Sequence, residues 1–292
     1  MARETRGWSR PLCVAVLATL VSGRAWIVGP VWAGEAAAKD APAGKAELWV
    51  GAASVDITPA GPVSLQGQFH LRIADKVETP LTANVLALES RAGGKSADVA
   101  VMVSCDLISI PEEVLGLVRE DLRRRLPELD AMKVFMGGTH THTAPVLRPG
   151  SYELPADGVT PVETYRAFVV ERVAEGIERA WRGRARGSVT WGLGHAVVAY
   201  NRRAVYADGT AVMYGKTHVP EFRGIEGYED HDIGVLLFRN SEGGLIGMCV
   251  NVSCPSQVVE NRTTINADFW HPVREALQGR YGSGLCVLGW TG

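Results

Sequence analysis

From Glu47 onward, apolar and polar positions fall into short runs whose period changes along the chain. Leu48-Trp49-Val50-Gly51-Ala52-Ala53 reads as a strand. Asp56-Ile57-Thr58-Pro59 then forces an extended or turn conformation, because a residue before proline avoids the helical region. Val85 to Glu89 and Ala100 to Cys105 read as further strands. The period then becomes helical: Val114, Leu115, Val118, Leu122 and Leu126 form one apolar stripe. Ser109 and Glu112 stand at capping-box spacing, Pro111 falls in the first turn and Pro127 stops the helix. Lys133 to Gly138 is the next strand. Ala100 to Gly138 is therefore predicted as a strand-helix-strand unit whose parallel strands are joined by a right-handed crossover.

A Pro- and Gly-rich loop runs from Pro145 to Gly158, and Thr160-Pro161-Val162-Glu163 reads as a second capping box. The long helix after it presents Tyr165, Phe168, Val169, Val173, Ile177 and Trp181 on one face and ends at Gly183. Beyond it the pattern turns to β. Strands are predicted at Ser188 to Leu193, Ala196 to Tyr200, Ile233 to Arg239 and Leu245 to Val252, the last two joined as a hairpin. Asn266 to Gly279 reads as a helix, with Pro272 tolerated in its first turn, and Leu285 to Leu288 as one more strand. The fold class is α/β: a mixed β-sheet core flanked by helices, with a β-α-β unit carrying the His-Thr-His motif.

Composition narrows the setting. The chain has 292 residues, 46% hydrophobic and 21% charged, with a formal net charge of −2, so nothing suggests a nucleic-acid partner. Arg3, Arg6 and Arg10 precede the apolar run Leu12 to Val21, and Val31-Trp32-Ala33 has the character of a cleavage site. Residues 1–33 are thus expected to be a signal peptide and 34–46 a linker, giving a secreted or periplasmic protein whose folded part spans 47–292. Cys105, Cys249, Cys254 and Cys286 are too few and too widely spaced for a disulfide scaffold.

The densest chemistry is Gly137-Gly138-Thr139-His140-Thr141-His142-Thr143-Ala144-Pro145. It follows the apolar run Val134-Phe135-Met136. If that run is a strand, pleating places His140 and His142 on one side at its end. Two converging imidazoles can hold a metal, or hold it with one ring and move protons with the other. Ligand crevices of open α/β sheets lie beyond the carboxyl ends of such strands, where Asp106 would also point. A carboxylate there can anchor a metal-bound imidazole.

These features, together with Gly51, Asp56-Ile57-Thr58-Pro59, Asn201-Arg202-Arg203 and Asn266-Ala267-Asp268-Phe269 in that order, resemble the neutral/alkaline, non-lysosomal ceramidase family over nearly the whole of 47–292. The resemblance implies an amidase with one zinc ion, cleaving the N-acyl bond of ceramide or a related N-acyl lipid, with contact to a membrane surface. It makes His140 a zinc ligand, lets His142 work on the substrate and has Arg202 assist in the site. Two departures stand out. Cys254, in Ser253-Cys254-Pro255-Ser256-Gln257, replaces the family's next histidine ligand, with His271 as a substitute candidate. The family's last two ligands, a Glu and a Tyr, would lie beyond Gly292. Two other readings are a non-catalytic secreted binding protein that kept the fold, and an amidohydrolase-type metal hydrolase acting on another amide.

Overall fold

The computed structural model describes residues 32–34 and 46–292. The expected signal peptide and linker lie outside these residues, apart from the short strand β1 (Trp32–Gly34) and Ala46. In chain order there follow β2 (Glu47–Asp56), β3 (Val63–Leu65), β4 (Arg72–Ala74), β5 (Thr82–Ala92), β6 (Lys95–Cys105), α1 (Glu112–Arg125), β7 (Val134–Gly138) and α2 (Val162–Arg182). The remainder is β8 (Ala185–His195), β9 (Arg203–Tyr206), β10 (Ala211–Met213), β11 (Phe222–Ile225), β12 (Asp232–Asn240), β13 (Leu245–Val252), α3 (Trp270–Tyr281) and β14 (Cys286–Thr291).

The main sheet runs β14-β13-β12-β8-β2-β5-β6-β7, with β1 paired to β8. It is mixed: β6 and β7 pair in parallel, as do β13 and β14, and the pairs between them are antiparallel. The predicted β-α-β unit is present, with Val101 opposite Val134 and Cys105 opposite Gly138. The antiparallel neighbours rule out an eightfold β/α barrel, whose strands are all parallel.

Alternation along the strands builds a layered molecule. Val85 and Ala87 of β5, with Val101 and Val103 of β6, pack against Val114, Val118 and Leu122 of α1 and Val169, Val173 and Ile177 of α2. The intervening Leu86 of β5 points the other way and meets Phe238, Cys249, Cys286 and Leu288. Val235 and Leu237 of β12 return to the outside, beneath Trp270 and Leu277 of α3. The sheet therefore folds over on itself, giving the order helices, sheet, sheet, helix. Each large side chain fully buried in these layers contributes about 1.5–3 kcal/mol. Polar bonds tie the two halves as well: the Ser104 hydroxyl on β6 donates to the Gly289 carbonyl on β14 at 2.6 Å.

Three local expectations are corrected. Neither capping box forms: the N-caps of α1 and α2 are Pro111 and Pro161, without a side-chain cap. Each proline has a φ near −60°, and its carbonyl accepts from the residues three and four positions on, so the first turn is satisfied without a hydroxyl. Ala196 to Tyr200 is not a strand, because after β8 the chain leaves the ladder and turns at Asn201, whose backbone N–H donates to Glu229. Asn266 to Phe269 is not helical. Asp268 is left-handed at φ +54°, and the Asn266 side chain accepts from the Asp268 N–H. Helix α3 starts after that turn and places Pro272 in its first turn.

Candidate functional site

The site forms where the carboxyl ends of β6, β7, β13 and β14 meet. Thr139 N–H still bonds to the Cys105 carbonyl, but His140 N–H goes to Leu107 and its φ is +64°. The two imidazoles thus converge by a left-handed kink beyond the strand end rather than by the pleat expected from the sequence. Their centroids are 5.0 Å apart and the rings are inclined at 61°. Gly138 permits the close pass, since a Cβ there would lie 2.5 Å from the Leu107 carbonyl oxygen.

The threonines between the histidines are the frame. Thr139, Thr141 and Thr143 are fully buried. The Thr141 and Thr143 hydroxyls both donate to the Asn266 carbonyl, at 2.8 and 2.7 Å. The Thr139 carbonyl accepts from Ser256 at 2.6 Å and from Thr291 at 3.3 Å, so it joins the loop after β13 and the end of β14 to the histidine loop. Asn266 in the Asn266-Ala267-Asp268 turn is therefore part of the scaffold that aims the rings.

His140 Nδ1 lies 2.9 Å from the Ile108 carbonyl. A carbonyl only accepts, so the proton sits on Nδ1 and the Nε2 lone pair is left for a ligand. His142 is nearly buried, and its pKa is pulled down to about 4 by burial, by His140 and by Arg72, with the backbone at Gly67 opposing. It is thus a neutral imidazole at neutral pH. Its Nε2 is 2.8 Å from Gln257 Nε2, and its Nδ1 has no hydrogen-bond partner among the described residues, the Glu260 carboxylate standing 3.6 Å away. Arg72, itself buried, holds the backbone around it: its guanidinium donates to the carbonyls of Gln66, His142, Glu260 and Arg262. Burial holds the Arg72 pKa below the ordinary arginine value, with Tyr152 and Glu260 acting in the opposite sense.

Of the residues singled out from the sequence, Arg202 reaches this cluster. Its Nη1 donates to the Tyr214 hydroxyl at 2.5 Å and to Gln257 Oε1 at 3.3 Å. Gln257 thereby links Arg202 to His142. Cys254 lies on the loop after β13, as expected, but its thiol donates to the Pro255 carbonyl at 3.3 Å. Burial and Asp268 push its pKa up, with Arg202 opposing. His271 faces Glu275 one helical turn along α3, at 3.5 Å. Asp106 does not anchor an imidazole. It is fully buried in a bidentate pair with Arg274, at 2.7 and 2.8 Å, and the carbonyl of Ile108 takes the role expected of it. The residues that sequence reasoning missed are Arg72, at the start of β4, and Gln257 and Glu260, from the loop after β13, all far from the motif in sequence. Only Gln257 carried a signal, as a neighbour of Cys254 just past a strand end.

A metal can be tested against these donors. His140 fits, because its tautomer is fixed with Nε2 free. Cys254 would have to leave the Pro255 carbonyl and lose its proton. Among the described residues, no group of three or more His, Cys, Asp or Glu side chains stands close enough to hold an ion.

No family model matches the chain, and no curated protein matches it. Solved structures do. The crystal structure of neutral ceramidase from Pseudomonas aeruginosa superimposes with a TM-score of 0.64 over 83% of this chain, at 20% identity. The fold is ceramidase-like. A ceramidase complexed with C2 gives a TM-score of 0.63 at the same identity and coverage. The chain spans 38% and 37% of the length of those two proteins. No described helix is long and apolar enough to cross a membrane.

Proposed function

We propose that this protein is an exported, zinc-dependent amidohydrolase that cleaves the N-acyl amide of ceramide or a related N-acyl lipid. The observation that carries the reading is the meeting of His140, His142 and Arg202 at the carboxyl ends of β7 and β13 in a ceramidase-like fold. His140 Nε2 is the donor suited to the ion, with Cys254 as a second donor. Zinc, when bound, supplies a Lewis acid and lowers the pKa of a bound water toward neutrality.

The remaining chemistry belongs to side chains of this chain. Arg202 presents a permanent positive charge and N–H donors, the equipment for a developing oxyanion. His142 is neutral with an Nε2 lone pair, so it can take a proton from the attacking water there and hand that proton on to the leaving amine. Arg72 keeps the His142 backbone still while this happens. The lipid part of the substrate implies approach from a membrane surface.

The turn of Cys254 toward Pro255 favours a second reading, a secreted binding protein that kept the fold without the metal. One experiment separates them. Purified protein is analysed for metal and assayed for fatty-acid release from a short-chain N-acylsphingosine, with and without chelator. Bound zinc and chelator-sensitive release that His140→Ala abolishes are expected. Protein without zinc and without release, with or without added zinc, overturns the hydrolase. Full zinc and turnover in Cys254→Ala would show that the cysteine is not a ligand.

A further inference from the structure

Gln257 makes two hydrogen bonds with one carboxamide. The orientation of that amide is fixed by its neighbours: a guanidinium carries donors only, so the group facing Arg202 Nη1 at 3.3 Å must be the carbonyl oxygen. The N–H then faces His142 Nε2 at 2.8 Å and donates to it, which places the His142 proton on Nδ1. Arg202 is held in turn by Tyr214, and His142 lies against Gly67, where a Cβ would come within 2.5 Å of the ring.

The two groups that receive Gln257 are the two that an amide hydrolase needs. Arg202 meets a carbonyl oxygen, and the His142 lone pair meets an amide N–H. We propose that the Gln257 carboxamide occupies the place of the scissile amide, as an internal stand-in that substrate must displace. This rests on the amidohydrolase reading and deepens it. A substrate enters by exchanging an amide for an amide, so the site selects N–H-bearing amides, and an ester, which has no N–H to offer His142, exchanges less well. Gln257 is partly exposed and lies on the loop after β13, so its side chain can swing out without breaking a strand.

The test compares wild type with Gln257→Leu, which keeps bulk but makes neither bond, and with Gln257→Ala. The probes are N-hexylacetamide and its ester counterpart hexyl acetate, with binding followed by calorimetry and by the ring ¹⁵N signals of His142. Removing two hydrogen bonds that compete with the probe should tighten amide binding on the order of 10-fold in both variants. The ester should gain less, and unliganded Gln257→Leu should lose the pyridine-type Nε2 signal that marks the fixed tautomer. The proposal is overturned if amide affinity is unchanged or weaker, or if ester and amide gain equally. It is also overturned if the wild-type His142 carries its proton on Nε2. Tighter amide binding without hydrolysis in any variant would leave the stand-in intact and remove the hydrolase instead.

Discussion

Replacing Arg274 with Met should destabilise the protein by about 3–5 kcal/mol, because it leaves a carboxylate buried without its counter-charge. Asp106 has no solvent exposure, and Arg274 is 7% exposed. The carboxylate accepts two bonds from the guanidinium, two from Thr82 and one, at 3.3 Å, from Thr139. Removing Arg274 deletes the charged pair, while the three bonds from the threonines remain and cannot neutralise the ion. For a chain of this size the loss corresponds to about 6–20 °C in melting temperature, taking roughly 2–4 °C per kcal/mol. The reverse variant, Asp106→Asn, strands the guanidinium with the Val287 carbonyl at 3.3 Å and should cost a similar amount. The assay is urea unfolding of both single variants and the double variant, comparing midpoints at unchanged slope. The double should cost less than the sum of the singles by about 1–3 kcal/mol. Additivity within about 0.5 kcal/mol, or a cost below about 1 kcal/mol for Arg274→Met, would refute the structural role. If Asp106→Asn were stable yet catalytically dead, Asp106 would belong to the chemistry after all.

Two further predictions follow the same geometry. Gly67 has φ +112° and its missing Cβ faces the His142 ring at 2.5–2.7 Å, so Gly67→Ala should cost about 1–3 kcal/mol and displace the ring; an unchanged melting temperature with unchanged His142 ring signals would contradict this. For Glu89, burial acts to raise the pKa, but hydrogen bonds from Arg91, Ser96 and Arg184 prevail and hold it below the ordinary value of 4.5. A depressed carboxylate stabilises the fold above that value and loses the contribution as pH falls through its folded pKa. Wild type should therefore lose more stability than Glu89→Gln on acidification below 4.5, and parallel acid titrations of the two would count against it.

Much of the architecture was legible because it rests on local periodicity. The stripe from Val114 to Leu126 became the buried face of α1, and the Tyr165 to Trp181 face became that of α2. Leu245 to Val252 is β13 residue for residue. The β-α-β unit followed from one helix between two apolar runs. The errors fell where a backbone group had two possible partners. A capping box is a statement about one hydroxyl, and at both helices a proline carbonyl already did the work. Asn266 to Phe269 runs into helix α3 without a break in the sequence, but the Asn266 carbonyl is held by threonines more than a hundred residues earlier.

The sequence by itself determined the long strands and helices and the position of the histidine loop at a strand end, because strand alternation and helix stripes are encoded between near neighbours. It could not determine which side chains complete the site. Gln257 and Glu260 reach His142 because the sheet folds over and brings the ends of β7, β13 and β14 to the single carbonyl of Thr139, and Arg72 reaches it from β4 of the separate two-stranded sheet. The left-handed turn at His140, the pairing of Asp106 with Arg274 and the turn of Cys254 toward Pro255 were likewise tertiary decisions. Each is a competition among donors and acceptors brought together from distant segments, and its outcome depends on distances that no spacing along the chain contains.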